Sequence, residues 1–247
     1  MRPLLAAIQF LTVIPVPSRF QTGEEDLRRS LVCFPIVGLM LGAMLAVLDP
    51  VILQLLPLLP ASVFLVIGML ALSGCLHMDG LADTADGFLS SRPKERMLEI
   101  MRDSRIGPMG VIAIVCGIAL KIAALSSIPG PEHWRVVFLM PLAGRCALVF
   151  GMKAAPYARG QGGLASVFGR PGWLALSISA AVLTTASWLI LGRLGAIAAG
   201  LVAIATLIFS FWCRQKIGGF TGDTLGAACE IAEIIPALAG AALGGRL

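Results

Sequence analysis

The stretch PMGVIAIVCGIALKIAALSS, residues 108–127, holds twenty residues and a single charge, Lys121. About 20 apolar residues are what a helix needs to cross a hydrocarbon core ~30 Å thick with every backbone group bonded internally. Six further runs of similar kind lie near residues 32–48, 61–77, 136–151, 173–192, 195–213 and 225–244. Together they predict an all-α, polytopic transmembrane bundle of about seven spans, built as one integral-membrane domain over residues 1–247. Composition agrees: 57% of the 247 residues are hydrophobic and 13% charged, with mean hydropathy +0.90, whereas a soluble domain carries about 25% charged residues. Disorder, a collagen-like chain and a disulfide-stapled module are excluded. The six cysteines stand singly in or beside apolar runs, with no C-x-x-C pair, and read as small buried hydrophobes. No cleavable leader is expected, because Pro15 and Pro17 break the first apolar stretch. Leu4–Ile14 and Val51–Leu59 are too short or too broken to span and read as interfacial or re-entrant segments.

The basic residues orient the bundle. Fourteen of the nineteen fall on one side: Arg2, Arg19, Arg28 and Arg29 before the first span, Arg92, Lys94, Arg96, Arg102 and Arg105 between the second and third, Lys153, Arg159 and Arg170 between the fourth and fifth, and Arg214 and Lys216 between the sixth and seventh. Arg135, Arg193 and Arg246 face the other side, and Lys121 and Arg145 lie inside spans. The expected topology is therefore N-terminus cytoplasmic and C-terminus outside. The net charge of +5 reflects loop placement; no basic, aromatic-interleaved stretch points to nucleic acid. Gly38 and Gly42 form a G-x-x-x-G pair suited to close helix contact.

Acidic residues concentrate where the second span reaches the cytoplasm. In HMDGLADTADG, residues 77–87, helical continuation puts Asp79, Asp83 and Asp86 on one stripe within about 60°. Like charges so spaced weaken a helix unless a cation offsets them. Hard oxygen ligands suit Mg²⁺, against the plainer alternative of a solvated acidic loop. His77 lies about 160° from Asp79 on the same wheel and reads equally as a ligand or as a structural side chain. The following segment 92–107 is read as an amphipathic surface helix, its Arg and Glu residues pairing in solvent. Arg102 and Arg105, leading into the third span beside the aspartates, are candidate phosphate clamps. A second acidic group follows a Gly-rich turn: Thr221, Asp223, then Glu230 and Glu233 roughly 10 and 15 Å further along the last span. The turn resembles phosphate-cradling loops in composition but lacks the P-loop pattern. Helix N-capping is the structural alternative for Asp223. Arg145, about 9 Å into the fourth span, matches Glu230 in depth, so an Arg145–Glu230 pair is expected.

These motifs carry a resemblance. HMDGLADTADG, RMLEIMRDSRIGPMG (96–110), the loop 153–162 with Lys153, Tyr157 and Arg159, GGFTGDTLGAACE (218–230), FLTVIPVP (10–17) and FPIVG (34–38) resemble the bacterial cobalamin synthase family, the adenosylcobinamide-GDP ribazoletransferases, over nearly the whole chain. The resemblance implies a Mg²⁺-dependent, multi-pass enzyme of the inner (cytoplasmic) membrane with its active site at the cytoplasmic face. Its small-molecule substrates would be adenosylcobinamide-GDP and α-ribazole or its 5′-phosphate, joined with release of GMP at the last stage of nucleotide-loop assembly in vitamin B12 biosynthesis. Asp79, Asp83 and Asp86 would then hold metal and supply the base, while His77, Arg102, Arg105, Arg145, Lys153, Tyr157, Arg159, Thr221, Asp223 and Glu230 would serve the substrates. The other expected partners are membrane lipid and, as an alternative to a monomer, a second copy of the chain; nucleic acid is not expected. A CDP-alcohol phosphotransferase also uses an aspartate-rich membrane helix, but its D-G-x-x-A-R continues with a longer spacing to its last two Asp, whereas here Asp83 follows Ala82 directly and no Arg stands at 84. A polyprenyl transferase would show a D-D-x-x-D pair, and a cation transporter would place its carboxylates near the midplane.

Overall fold

The computed structural model describes residues 2–17, 20, 23–128, 130, 132–159 and 164–243. Arg19, Arg246 and residues 160–162 of the 153–162 loop lie outside the described residues. The chain is all-helical: α1 Arg2–Leu11, α2 Glu24–Ser30, α3 Phe34–Leu55, α4 Leu58–Leu72, α5 Leu76–Phe88, α6 Lys94–Ile100, α7 Pro108–Ser126, α8 His133–Ala154, α9 Leu164–Phe168, α10 Trp173–Ile217 and α11 Gly222–Leu243. Among the described residues, five helices are long and apolar enough to cross a membrane, or six when the bent α4–α5 pair counts as one.

Three expectations about the spans need correction. The run 61–77 does not continue to its end as one helix. Gly74 and Cys75 both take positive φ, at 59° and 58°, and turn α5 by 90° from α4. The short apolar piece Val51–Leu59 is no separate interfacial segment: α3 runs through Pro50 to Leu55, and α4 begins at Leu58. The amphipathic helix expected over 92–107 is confined to α6, whose Met97 and the following Met101 pack on Phe88, Cys213 and Ile217. Leu4–Ile14 does contain a helix, α1, too short to span.

The 45 residues of α10 would extend about 68 Å if straight. Instead Gly192 leaves the helical region (φ 58°, ψ −135°), and the chain folds back so closely that a Cβ on Gly195 would overlap the Ser187 carbonyl. Residues eight apart in a straight helix are about 12 Å apart, so α10 is two arms, 173–191 and 193–217.

α8 is the axis of the bundle. Almost every residue from Val136 to Met152 is buried, because α3, α10 and α11 enclose it. The glycine pair in α3 makes this approach possible: a Cβ on Gly38 would meet the Leu142 Cα at 2.8 Å, and one on Gly42 would overlap the Phe138 carbonyl. The basic loops gather at one end. Arg28 Nε donates to the Val167 carbonyl (3.1 Å), Arg170 to that of Lys153 (3.2 Å) and Lys216 to that of Phe88 (3.3 Å). At the other end His133 bonds Asp49 at 2.7 Å, both buried.

Candidate active site

The site is built where α5 crosses α11 at the basic end. Two glycines set the crossing distance: a Cβ on Gly80 would stand 2.7 Å from the Asp223 carbonyl oxygen, and one on Gly226 would stand 3.0 Å from that of His77. Asp79 and Asp223, beside these glycines, therefore face one cavity. Thr221 and Thr224 form a reciprocal cap on α11, the Thr221 N–H donating to the Thr224 Oγ1 (2.8 Å) and the Thr224 N–H to the Thr221 Oγ1 (3.2 Å). Capping thus falls to Thr221, and Asp223 accepts instead from Arg159 Nη2 (2.8 Å) and the Thr221 hydroxyl (3.2 Å).

The Gly-rich turn has a different use from cradling phosphate. Gly218 ends α10 with φ 82°, and Gly219 lies so near Pro156 that a Cβ would overlap its carbonyl. The Phe220 N–H then donates to the Pro156 carbonyl and the Ala158 N–H to that of Phe220, both at 2.8 Å. This stitch, with Tyr157 edge-on to Phe220 at 5.6 Å, holds Arg159 against Asp223.

The cavity measures about 240 Å³, and His77, Asp79, Tyr157, Arg159 and Asp223 all line it. His77 is 3% exposed, and its Nδ1 has no hydrogen-bond partner among the described residues. The structure does not bring the remaining candidates there. Asp86 accepts from the Gly107 N–H (2.7 Å) and the Gly110 N–H (2.8 Å), so both oxygens engage the N-terminus of α7, where the helix dipole favours an anion. Arg102 is exposed. Arg105 points to solvent, its side chain 87% exposed, and grips Asp103 at 2.6 Å; these hydrogen bonds lower the Asp103 carboxyl to about pH 2. Lys153 donates to the Pro171 carbonyl (2.9 Å) and rests 4.2 Å from the Trp173 ring centre. Its work is bracing the start of α10.

The expected Arg145–Glu230 pair is not formed. Arg145 binds Glu233, and Glu230 binds Lys121 at 2.7 Å; Lys121 also reaches Glu233 at 2.6 Å. All four side chains are at most 4% exposed. Equal depth was the wrong criterion, because α7, not α8, presents a cation toward Glu230. The signal that finds Lys121 is its solitary charge in a long apolar run. Phe10, Leu148, Met152 and Phe168, also lining the cavity, carry no chemistry-bearing pattern that a sequence reading could detect.

Asp83, between Asp79 and Asp86 on α5, lies in the repulsive fields of Asp79, Asp223 and Asp86, with Arg159 opposing them. Such an excess of carboxylate is what a divalent cation offsets. Among the described residues no three His, Cys, Asp or Glu side chains converge on one point; Asp79 and Asp223 share the cavity, while Asp86 is held by α7.

The G-x-x-G spacing of Gly107 and Gly110 follows from that last contact, since a Cβ at either position would overlap the Asp86 carboxylate. Gly110→Ala is expected to cost about 1–3 kcal/mol by overpacking. A melting midpoint equal to that of the unsubstituted protein would show that Asp86 does not hold α7.

The family model for Cobalamin-5-phosphate synthase (CobS) matches residues 3–241. A protein of Geotalea daltonii described as adenosylcobinamide-GDP ribazoletransferase is 37% identical over 247 residues, covering 100% of this chain and 99% of its own. Proteins of the same description from Roseiflexus sp. and Acetivibrio thermocellus are 42% and 39% identical, each over 94% of this chain and over 87% and 94% of their own. No solved structure matches. A match this complete, on a chain whose acidic helix, Arg159 loop and capped α11 meet at one cavity, assigns the chain to the cobalamin-5-phosphate synthase family.

Proposed function

We propose that this chain is an adenosylcobinamide-GDP ribazoletransferase of the bacterial inner membrane, joining adenosylcobinamide-GDP to α-ribazole or its 5′-phosphate with release of GMP. The observation that carries the proposal is the meeting of Asp79, Arg159 and Asp223 at one cavity, in a chain similar from end to end to proteins so described. The reaction is attack by a ribose hydroxyl on the cobinamide-side phosphorus; a new P–O bond forms as the P–O bond to GMP breaks. Asp79, exposed at the cavity, takes the hydroxyl proton. Arg159 is positioned by Asp223 (2.8 Å) to meet the charge that grows on the departing phosphate. Asp86 acts at a distance by tying α5 to α7.

Mg²⁺ fits the carboxylates present. It is usually bound by one or two carboxylates together with substrate phosphates, and Asp79 and Asp223, which share the cavity, would supply such a pair. When bound, it would neutralise the pyrophosphate oxygens.

For the topology we favour seven spans: α3, α4 with the bent α5, α7, α8, the two arms of α10, and α11, with the N-terminus and the site at the cytoplasmic face. The gathering of basic loops around the site supports this orientation.

The test is incubation of detergent-purified protein with adenosylcobinamide-GDP, α-ribazole and Mg²⁺. GMP and a completed corrinoid should appear together, and chelation of the metal should stop both. Failure to release GMP under these conditions would overturn the proposal.

A further inference from the structure

The cavity draws unlike groups from different elements. α5, the Arg159 loop and the first turn of α11 supply Asp79, Arg159 and Asp223, whereas α1, α8 and α9 supply only Phe10, Leu148, Met152, Ala165 and Phe168. The apolar part includes a packed aromatic cluster. Phe168 stands edge-on to Phe10 at 4.7 Å and to Phe34 at 5.6 Å between ring centres, an aromatic cluster whose geometry favours one arrangement.

Size limits what enters. About 240 Å³ is below the ~300–1,000 Å³ of pockets that hold drug-sized ligands, so the cavity takes one ring system and part of a sugar and leaves a corrin macrocycle outside. Of the substrates' bases, the two joined through a sugar to the reacting groups compete, the guanine of the donor and the benzimidazole of the acceptor. Guanine carries an amide N–H, an amino group and a carbonyl on its edge, each of which loses its water and finds no partner among Phe, Leu, Met and Ala side chains. A dimethylbenzimidazole has an apolar outer edge and one free ring nitrogen.

Resting on the transferase reading above, we infer that the apolar part of this cavity, bounded by Phe10, Leu148, Met152, Ala165 and Phe168, is the subsite for the base of the α-ribazole acceptor, and that Ala165 and Leu148 set how large a base it admits. The ribose then faces Asp79 and Asp223, and the donor's pyrophosphate approaches from the basic end.

The test is steady-state kinetics of the detergent-purified chain, each substrate being varied at saturating concentration of the other. Ala165→Leu from α9 and Leu148→Phe from α8 each reduce the space without touching the carboxylates. Each should raise KM for α-ribazole by at least about tenfold, equivalent to 1.4 kcal/mol, with KM for adenosylcobinamide-GDP changed less than about twofold. A benzimidazole riboside lacking the two ring methyls should recover part of the loss. The unsubstituted protein provides a readout independent of how the variants fold: a riboside whose base is one fused ring larger should bind at least about tenfold more weakly than α-ribazole. If KM for adenosylcobinamide-GDP rises instead, or both KM values rise equally, or the larger base binds as well, the inference fails. Absence of GMP release from the unsubstituted protein would sink the transferase reading itself, a separate outcome.

Discussion

Asp79→Asn is expected to slow GMP release by about 10²–10⁴-fold, the usual contribution of a positioned acid–base group, with no change in the thermal unfolding midpoint. Asp79 is exposed at the cavity, so its carboxylate carries little desolvation and the amide replaces it without strain. The amide keeps a hydrogen-bonding oxygen but cannot take a proton, and it is a poorer ligand for a divalent cation. Asp223→Asn should differ in kind. It weakens the contact to Arg159 at 2.8 Å, a half-buried pair, so a smaller rate loss should come with a modest drop in stability. Rates of GMP release and melting midpoints for both variants, measured at saturating Mg²⁺, distinguish the two roles. Near-normal turnover by Asp79→Asn would remove it from the chemistry.

Glu233→Gln should give a large stability loss, about 3–5 kcal/mol. Glu233 joins both cations, Lys121 at 2.6 Å and Arg145. Neutralising it leaves two positive groups sharing Glu230 in a low-dielectric interior, where an unpaired charge is costly. Glu230→Gln should cost less, about 1–3 kcal/mol, because Lys121 retains Glu233. Either Lys121→Met or Arg145→Met should recover part of the loss from Glu230→Gln, since each leaves one cation with Glu233. Unfolding of the single and double variants in mixed detergent gives the coupling energies; a coupling of Arg145 to Glu230 larger than that of Lys121 to Glu230 would contradict the pairing described above.

The architecture was largely legible in the linear chain. Span length against bilayer thickness is a one-dimensional comparison, so runs such as 108–127 and 136–151 locate α7 and α8 directly, and the boundary between 173–192 and 195–213 coincides with the break at Gly192. The aspartate stripe was legible for the same reason, since helical periodicity fixes relative azimuth along one helix. His77, Asp79 and Asp223, singled out by type and spacing, and Tyr157 and Arg159, implied by the family resemblance, do line one cavity. Periodicity carries no information about which helices adjoin, how they rotate against each other, or which backbone groups need a partner. Only the tertiary structure therefore assigns Arg145 to Glu233 rather than Glu230 and commits Asp86 to the N–H groups of Gly107 and Gly110. It also turns Arg105 to solvent and carries the apolar side chains of α1, α8 and α9 to the cavity. Depth along a helix follows from counting residues, whereas the partner met at that depth depends on packing, which here is set by the close glycine contacts of α3 on α8 and of α5 on α11.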